Sequence, residues 1–187
     1  RIRIHTGCDF HLKLDNIQEA VADPRRFSIN GLGWLLVEFS DMVIFPNTEE
    51  IFSRLRAAGM GIIVTHPERN WLLRKDLARV ERWVEGGAYL QVTGGSLLGT
   101  FGSDARKYAE QLLERGLVHF LASDAHDLDR RSTRLDGVRE HVVDRYGATY
   151  AELLLDTHPR AAIEGREVPA GPLPPPETGG RWFRFWR

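Results

Sequence analysis

The sequence is poor in three features that would each indicate a particular class of protein. Cys8 is the only cysteine among 187 residues, so no disulfide forms within the chain and a reducing, cytoplasmic setting is expected. The net charge of -1 provides no basic field, so nucleic acid is not expected as a partner. No apolar run approaches the ~20 residues of a membrane-spanning helix, and no signal peptide opens the sequence.

Common catalytic signatures are missing as well. There is no Gly-x-Ser-x-Gly elbow, Walker phosphate loop, His-Glu-x-x-His pair or dinucleotide fingerprint. A cysteine-based tyrosine phosphatase needs an arginine six residues after its cysteine, and Leu14 stands at that distance from Cys8. The run Gly-Gly-Ser at residues 94–96 lacks the Lys-Ser/Thr pair of a phosphate cradle, so it predicts only a flexible connection between a strand and a helix.

What the sequence does contain is one unit that recurs about five times: an apolar strand, a polar loop, an amphipathic helix and a glycine. The composition, 42% hydrophobic and 27% charged, suits one globular domain with its own core. The recurring unit predicts an α/β protein built on a parallel sheet, as in a barrel or an open sheet. Strands are predicted at residues 2–10, 34–39, 61–65, 88–93 and 117–122, and helices at 11–22, 48–58, 71–85, 103–115, 135–146 and 149–156, with a helical turn from Pro159.

Several of these predicted strands end in a side chain that is able to bind a metal. Asp9 and Glu38 end the first two strands, His66 ends the third, and Asp124 and His126 follow the last. The carboxyl ends of parallel strands converge on one edge, where ligands and catalysis gather. Each residue alone has an ordinary explanation, such as a core histidine bonded to backbone, but together they predict a metallohydrolase site.

Two arginines follow these candidate ligands closely. Arg69 comes three residues after His66, and Arg131 comes five after His126, with Arg130 beside it as an alternative. Guanidinium groups bind tetrahedral oxyanions bidentately, which favours a phosphate group in the substrate. A surface salt bridge is the alternative explanation for either arginine.

The composition changes at the end of the sequence. Residues 169–180 are rich in proline and glycine and predict a linker, and residues 181–187 alternate basic and aromatic side chains. This tail is too short to span a membrane. It is suited to lying on an anionic surface, to docking in a groove, or to packing on its own domain or on a second copy in a homo-oligomer.

Three motifs resemble one family. They are Thr-His-Pro-Glu-Arg at residues 65–69, Gln-Val-Thr-Gly-Gly-Ser-Leu-Leu-Gly at 91–99, and His-Phe-Leu-Ala-Ser-Asp-Ala-His at 119–126. Together they are similar to the PHP-domain (polymerase and histidinol phosphatase) protein-tyrosine phosphatases of bacterial capsule and exopolysaccharide loci. The resemblance runs from about residue 7 to residue 159 and includes Trp-Leu-Leu-Val-Glu-Phe at 34–39.

The resemblance implies a distorted (β/α)7 barrel with a cluster of divalent metals, usually manganese, with iron or zinc as alternatives. It implies a cytoplasmic phosphatase that removes phosphate from the tyrosine-rich tail of a partner tyrosine autokinase and so regulates capsule synthesis. Glu38 would bridge metals and His66, Asp124 and His126 would be ligands, with His126 an alternative proton donor. Asp9 stands where the family more often has glutamate, a longer side chain.

The resemblance also assigns Arg69 and Arg131 to the phosphate. The family opens with a His-x-His strand that this sequence does not contain, so we expect residues 1–168 to represent about the last five βα units of the barrel. Two alternatives remain open at this point. One is a histidinol-phosphatase-like enzyme acting on a small phosphomonoester, and the other is a catalytically inactive scaffold that lacks the missing ligands.

Overall fold

The computed structural model describes residues 2–173, in which five parallel strands form one sheet in the order of the chain. The strands are Asp9–His11 (β1), Trp34–Glu38 (β2), Gly61–Thr65 (β3), Tyr89–Thr93 (β4) and Phe120–Ala122 (β5). The helices are Leu14–Ala22 (α1), Thr48–Ala57 (α2), Trp71–Arg74 (α3), Leu77–Glu85 (α4), Gly94–Leu97 (α5), Ser103–Glu114 (α6), Asp136–Tyr146 (α7), Ala148–Glu152 (α8) and His158–Ile163 (α9), with 3-10 turns at Pro24–Phe27 and Ile29–Gly31 and a π turn at Leu153–Thr157. This arrangement confirms the predicted α/β class.

One face of the sheet carries the main hydrophobic core. Because side chains alternate along a strand, every second residue of β1 to β5 points to this face, where the helices cover it. Phe39 follows β2 directly and stacks on Trp83 of α4 with ring centroids 4.9 Å apart, and Phe52 of α2 meets Trp83 edge-on at 5.5 Å. Such aromatic pairs contribute about 0.5–1.5 kcal/mol each beyond burial, so they anchor the carboxyl end of β2.

The other face changes character along the strands. Near their amino ends, Trp34, Ile63, Tyr89 and Phe120 form a second apolar cluster. The chain after α9 covers this cluster: Trp34 Nε1 donates to the carbonyl oxygen of Arg166 at 3.1 Å, and the Tyr89 hydroxyl donates to that of Val168 at 2.8 Å. Two residues beyond Ile63 and Tyr89, and four residues beyond Trp34, the same face is polar. The remaining open part of this face therefore lies at the carboxyl ends of the strands. Its polar residues are Glu38, Thr65 and Gln91.

The first predicted strand is wrong in most of its length. Only Asp9–His11 pairs with β2, so Asp9 begins the strand instead of ending it. Upstream, the backbone of Thr6 bonds to Asn30: the Asn30 N–H donates to the Thr6 carbonyl oxygen at 2.9 Å, and the Thr6 N–H donates to Asn30 Oδ1 at 3.2 Å. Because Asn30 satisfies the backbone N–H and carbonyl groups of Thr6, this segment does not depend on strand pairing for its hydrogen bonds.

The single helix predicted at residues 71–85 is two helices. The chain leaves the helical conformation at Asp76, with φ -135° and ψ 65°, and the Asp76 side chain accepts a hydrogen bond from the Arg79 N–H at 3.1 Å. Aspartate favours this capping role, so α4 begins anew at Leu77. The break lets α3 follow the loop after β3 while α4 packs along the sheet.

The glycine-rich run was also predicted incorrectly as a flexible connection. Residues 94–97 form α5, and Gly94, Ser96 and Leu97 are buried. A Cβ on Gly94 would lie 2.7 Å from a methyl group of Val138 in α7, so only glycine allows this close packing. The segment is therefore a packed part of the fold.

At the end of the described range, the Leu173 N–H donates to the Gly116 carbonyl oxygen at 2.7 Å, next to β5. The part of the predicted linker and basic-aromatic tail from residue 174 onward lies outside the described residues. Within residues 2–173, no helix has the length and apolar character needed to cross a bilayer.

Candidate active site

Three side chains from neighbouring strands meet on the open part of the sheet. His66 Nε2 lies 3.6 Å from Oδ2 of Asp9 and 3.5 Å from Oε1 of Glu38. One ligand atom from each residue lies within 4.8 Å of the other two, and among the side chains that the structure describes no other group of three histidine, cysteine or acidic residues has this spacing. We call Asp9, Glu38 and His66 the acid–imidazole cluster.

The register of the sheet produces this cluster. Asp9 pairs with Leu36 and His11 pairs with Glu38, so the alternation places Asp9 and Glu38 on the same face. The Thr65 hydroxyl donates to Asp9 Oδ1 at 3.0 Å, which turns the other oxygen of this carboxylate toward His66. Aspartate at position 9, although shorter than the glutamate of the resembling family, therefore reaches the cluster.

The backbone also positions His66. Its backbone has φ +34°, which is unusual for a residue other than glycine. Its N–H donates to the Gln91 carbonyl oxygen at 2.8 Å. Burial lowers the pKa of His66, but the hydrogen bond and the charge of Asp9 outweigh burial and raise the pKa overall. The Asp9 carboxylate, together with the charge of Glu68, thus favours the protonated form of this imidazole.

The residues present fit a divalent cation. Two carboxylates and one imidazole converge, and the cluster is only partly exposed: the His66 side chain is 11% exposed and the Asp9 and Glu38 side chains 38% and 36%. Mixed oxygen and nitrogen ligands of this kind suit manganese, iron or zinc. The sequence-based expectation of a cation site is compatible with this geometry for Asp9, Glu38 and His66.

The two predicted arginines also come together. Nη1 of Arg69 and Nη2 of Arg131 both donate to Oδ2 of Asp124. We call Arg69 and Arg131 the arginine pair. The adjacent Arg130 is exposed, so it is Arg131 that reaches Asp124. Two guanidinium groups that bind one carboxylate oxygen are also suited to binding an oxyanion of a ligand.

A tight turn delivers Arg131 to this position. Oδ1 of Asp127 accepts hydrogen bonds from the N–H groups of Asp129, Arg130 and Arg131 at 2.7–2.9 Å. The His126 N–H closes the turn by donating to the Arg131 carbonyl oxygen at 2.8 Å. Asp127 was not identified from the sequence, although an aspartate that accepts hydrogen bonds from N–H groups two to four residues later is a familiar turn signal.

Asp124 and His126 do not join the acid–imidazole cluster. The carboxylate of Asp124 binds the arginine pair instead, and its backbone has φ +49°. The His126 side chain is 56% exposed, and its Nδ1 lies 2.9 Å from the Asp124 carbonyl oxygen. The carboxyl ends of the strands therefore carry two adjacent groups. One is the acid–imidazole cluster, and the other is the arginine pair with Asp124 bound to it. The sequence predicted a single group of metal ligands.

Sequence reasoning missed two residues at the site. His11 Nδ1 lies 3.4 Å from Oε2 of Glu38, and the alternation in Asp-Phe-His at 9–11 was the signal that placed it beside Asp9. Glu68 is fully buried, and its Oε1 accepts from the Thr93 N–H at 3.1 Å and from the Ser96 hydroxyl at 2.7 Å. Burial raises the pKa of Glu68 against these hydrogen bonds.

A cavity of about 240 Å³ connects these features. Glu38 and His66 of the cluster line it together with Thr65 and with Arg69 of the arginine pair, so a ligand in the cavity would lie beside members of both groups. The remaining wall contains aromatic and aliphatic groups beside polar ones. These wall residues are Phe39, Asp41, Asn70, Leu73, Arg74, Phe101 and Ala105.

The fold and the site together define an α/β protein with a candidate divalent-cation site beside an arginine pair suited to an oxyanion. The chain belongs to the CpsB/CapC family of capsular polysaccharide synthesis, whose family model matches residues 1–164. This membership confirms the resemblance that the three sequence motifs indicated.

Curated relatives agree with this membership. The chain is 37% identical over 130 residues to CapC of Staphylococcus aureus, covering 70% of this chain and 51% of CapC. It is 34% identical over 116 residues to the tyrosine-protein phosphatase YwqE of Bacillus subtilis (strain 168), covering 62% of this chain and 46% of YwqE. The chain thus spans about half the length of these curated relatives.

The fold is also similar to a solved structure. It is one of the crystal structures of YwqE from Bacillus subtilis and CpsB from Streptococcus pneumoniae, which are unique metal-dependent tyrosine phosphatases. The TM-score is 0.81 with 26% sequence identity, covering 90% of this chain and 68% of the other.

Proposed function

We propose that the protein is a metal-dependent protein-tyrosine phosphatase that acts on phosphotyrosine in a partner bacterial tyrosine autokinase and thereby regulates capsule or exopolysaccharide synthesis. The observation that carries this proposal is the cavity that is lined by Glu38 and His66 of the acid–imidazole cluster and by Arg69 of the arginine pair. A phosphomonoesterase needs such a pairing, because the phosphoryl group must meet cationic groups on several of its oxygens.

In this proposal Asp9, Glu38 and His66 hold a divalent cation, with manganese the first choice and iron or zinc as alternatives. When bound, the cation would polarise the phosphoryl group and make water a better nucleophile at neutral pH. Side chains of the protein itself orient the ligands and bind the phosphoryl group. Thr65 fixes one oxygen of Asp9, which leaves the other oxygen for the cation.

The arginine pair binds the phosphoryl oxygens and orients phosphorus toward the cluster. The Asp124 carboxylate now occupies the two guanidinium groups, so phosphate binding requires Asp124 to release them. We assign Asp124 and His126 as further metal ligands, a role that requires both side chains to turn from their present contacts. If His126 is not a ligand, its exposed imidazole is free to donate a proton to the leaving group.

Two features support an aromatic phosphate as substrate. A phenolate, with a parent pKa of ~10, leaves more readily than an alkoxide and needs less help from a general acid. The wall of the cavity contributes the rings of Phe39 and Phe101 and the side chain of Leu73. An aromatic leaving group would find apolar contacts there, while a small polar phosphomonoester would not.

We further propose that residues 1–168 belong to a distorted (β/α)7 barrel. Sequential pairing of parallel strands with helices on one face supports this, because an open doubly wound sheet would reverse its strand order. We also place the protein in the cytoplasm, as its single cysteine favours, and allow for a homo-oligomer.

The test compares substrates and metal content in the same preparation. The chain is loaded with Mn²⁺, Fe²⁺ or Zn²⁺, analysed by elemental analysis, and assayed on a phosphotyrosine peptide, the matching phosphoserine peptide and histidinol phosphate. We expect bound metal, turnover of the phosphotyrosine peptide in preference to the others, and loss of turnover with excess chelator. Preference for histidinol phosphate would indicate a small-molecule phosphatase, and a preparation that takes up no metal would indicate a scaffold.

A further inference from the structure

The glycine-rich segment of residues 94–102 lies against the arginine pair, which the proposed function does not explain. The ring of Phe101 is the point of contact. The guanidinium carbon of Arg69 lies 4.6 Å from the centroid of this ring, and that of Arg131 lies 5.7 Å from it. Both distances are within the range of a cation–π contact, so one aromatic side chain serves two cations.

This shared contact matters because the two arginines have separate origins. Arg69 lies in the loop after β3, and Arg131 lies in the turn after β5. In the structure, their side chains have two contacts in common, the Asp124 carboxylate and the Phe101 ring. A bound phosphate would replace Asp124 between the guanidinium groups. The Phe101 ring is then the contact that keeps both side chains in place.

The segment is itself held firmly against the Arg69 loop. The buried carboxylate of Glu68, the residue before Arg69, accepts hydrogen bonds from the Ser96 hydroxyl and the Thr93 N–H. On the other side, Gly94 packs against Val138, where even a methyl group would not fit. Phe101 therefore has a fixed position relative to Arg69, which is what a supporting surface requires.

We propose that residues 94–102 form a positioning platform in which the Phe101 ring holds Arg69 and Arg131 so that both bind one phosphate group. Toward the phosphate group, Phe101 is a positioning residue, since it acts on that group through the arginines, in addition to its place in the cavity wall. The inference rests on the proposed function, because it assumes that the arginine pair receives a phosphate. It goes further by giving a role to a segment that contributes no ligand.

The first experiment measures binding of inorganic phosphate to the Mn²⁺-loaded full chain by isothermal titration calorimetry. Phe101→Leu keeps most of the apolar volume and removes the aromatic face, and we expect phosphate affinity to fall by about tenfold, the order given by two cation–π contacts. Phe101→Trp restores an aromatic face and should recover most of the affinity. Val143→Ala, an exposed apolar position on α7 outside this segment, is the control and should bind as the parent does.

A second measurement follows the arginines directly. In the parent, the Nε–H proton resonance of Arg69 should be displaced by the ring current of Phe101 and should return to its ordinary position in Phe101→Leu. A double-mutant cycle completes the test: in a chain that carries Arg69→Gln and Arg131→Gln, Phe101→Leu should have no further effect on phosphate binding. A residue that only fills space would weaken both backgrounds equally.

The outcomes separate the two proposals. If the parent chain binds phosphate and Phe101→Leu binds it equally well, the platform is refuted and the proposed function stands. If the parent chain binds no phosphate, the proposed function fails first and the platform fails with it. Thermal unfolding of each variant shows whether a loss of affinity comes from a loss of folding. If Phe101→Leu does not fold, the phosphate affinity of Phe101→Trp tests the platform: parental affinity supports it, and a tenfold loss in a folded Phe101→Trp refutes it.

Discussion

The imidazole Nε2 of His66 lies 3.5 Å from Oε1 of Glu38, although Glu38 ends one strand and His66 follows the next. Parallel pairing of β2 and β3 brings the two together, since Val37 pairs with Val64 and Glu38 therefore lies beside the end of β3, which His66 follows. The same register places the Thr65 hydroxyl, which donates to Asp9 Oδ1, at 3.3 Å from the Val37 carbonyl oxygen. The candidate metal site is therefore a direct consequence of strand register.

The first prediction concerns the acid–imidazole cluster. Glu38→Gln keeps the size of the side chain and removes the charge that a cation needs, so we expect metal affinity to fall by about 100-fold or more. Elemental analysis after dialysis against trace metal measures this loss. Glu50→Gln, an exposed position in the first turn of α2, is the control and should retain the parental metal content. Full metal content in Glu38→Gln would place the metal elsewhere.

The second prediction concerns the arginine pair. Arg69→Lys and Arg131→Lys keep the charge and remove the planar fork, so each should lower kcat/KM for an aryl phosphate by about 100-fold. Because both guanidinium groups bind one anion, the double variant should lose less than the product of the two single losses. Steady-state kinetics of the four proteins give this comparison.

Arg130→Gln is the matched control for this pair. Arg130 is adjacent to Arg131 in sequence, but its side chain is exposed. We expect its kcat/KM to stay within about twofold of the parent, because an exposed charge near a site acts weakly in physiological salt. A larger loss in Arg130→Gln than in Arg131→Lys would mean that the wrong arginine has been assigned.

The sequence predicted most of the framework because buried parallel strands leave a strong signal. Continuous apolar runs such as Gly-Ile-Ile-Val-Thr at 61–65, followed by polar residues, mark both the strand and its carboxyl end. Glu38 and His66 could be found for this reason alone. Their meeting could also be predicted, because consecutive parallel strands carry their ends to the same edge.

What the sequence could not predict depends on contacts between distant residues. The alternation of residues 2–10 is typical of a strand, but Asn30 binds the backbone of Thr6 and leaves only Asp9–His11 for the sheet. In the same way, an aspartate that is able to bind a metal is equally able to bind arginine, and Asp124 takes the arginine pair. No local pattern distinguishes these outcomes, because each is decided by a partner far away in the chain.

His11 follows from this correction and gives the third prediction. With β1 ending at His11 instead of Asp9, its Nδ1 lies 3.4 Å from Glu38 Oε2 and holds the second oxygen of that carboxylate. Loss of such an orienting partner typically lowers metal affinity by about 10–100-fold, so we expect His11→Ala to lower it by about tenfold. Competition with a fluorescent chelator measures this change. His141→Ala, on α7, should not alter metal affinity, and equal losses in the two variants would refute a role for His11.

The last prediction concerns stability and depends on a histidine that is remote from the cavity. His119 is completely buried beside β5, where its Nδ1 accepts from the Leu90 N–H at 3.3 Å and its Nε2 lies 3.0 Å from the Gly171 carbonyl oxygen. Only the neutral ring with its proton on Nε2 satisfies both partners. Burial lowers the pKa of His119 to about 4, and the neighbouring His158 adds to the decrease.

In the unfolded chain this histidine has a pKa of ~6.5. Between pH 6.5 and about 4 the unfolded chain therefore binds more protons than the folded chain. The free energy of unfolding consequently falls as the pH falls over this range. From pH 6.5 to pH 5 the decrease due to His119 should be about 1.5 kcal/mol, since the slope approaches about 1.4 kcal/mol per pH unit only below the pKa of the unfolded chain. Urea unfolding at several pH values measures it. His119→Asn keeps an acceptor for the Leu90 N–H and removes the titrating ring, so it should be less stable than the parent at pH 7.5 but should lose less stability on acidification. An equal decrease in parent and variant over this range would show that His119 is not the group whose protonation destabilises the fold.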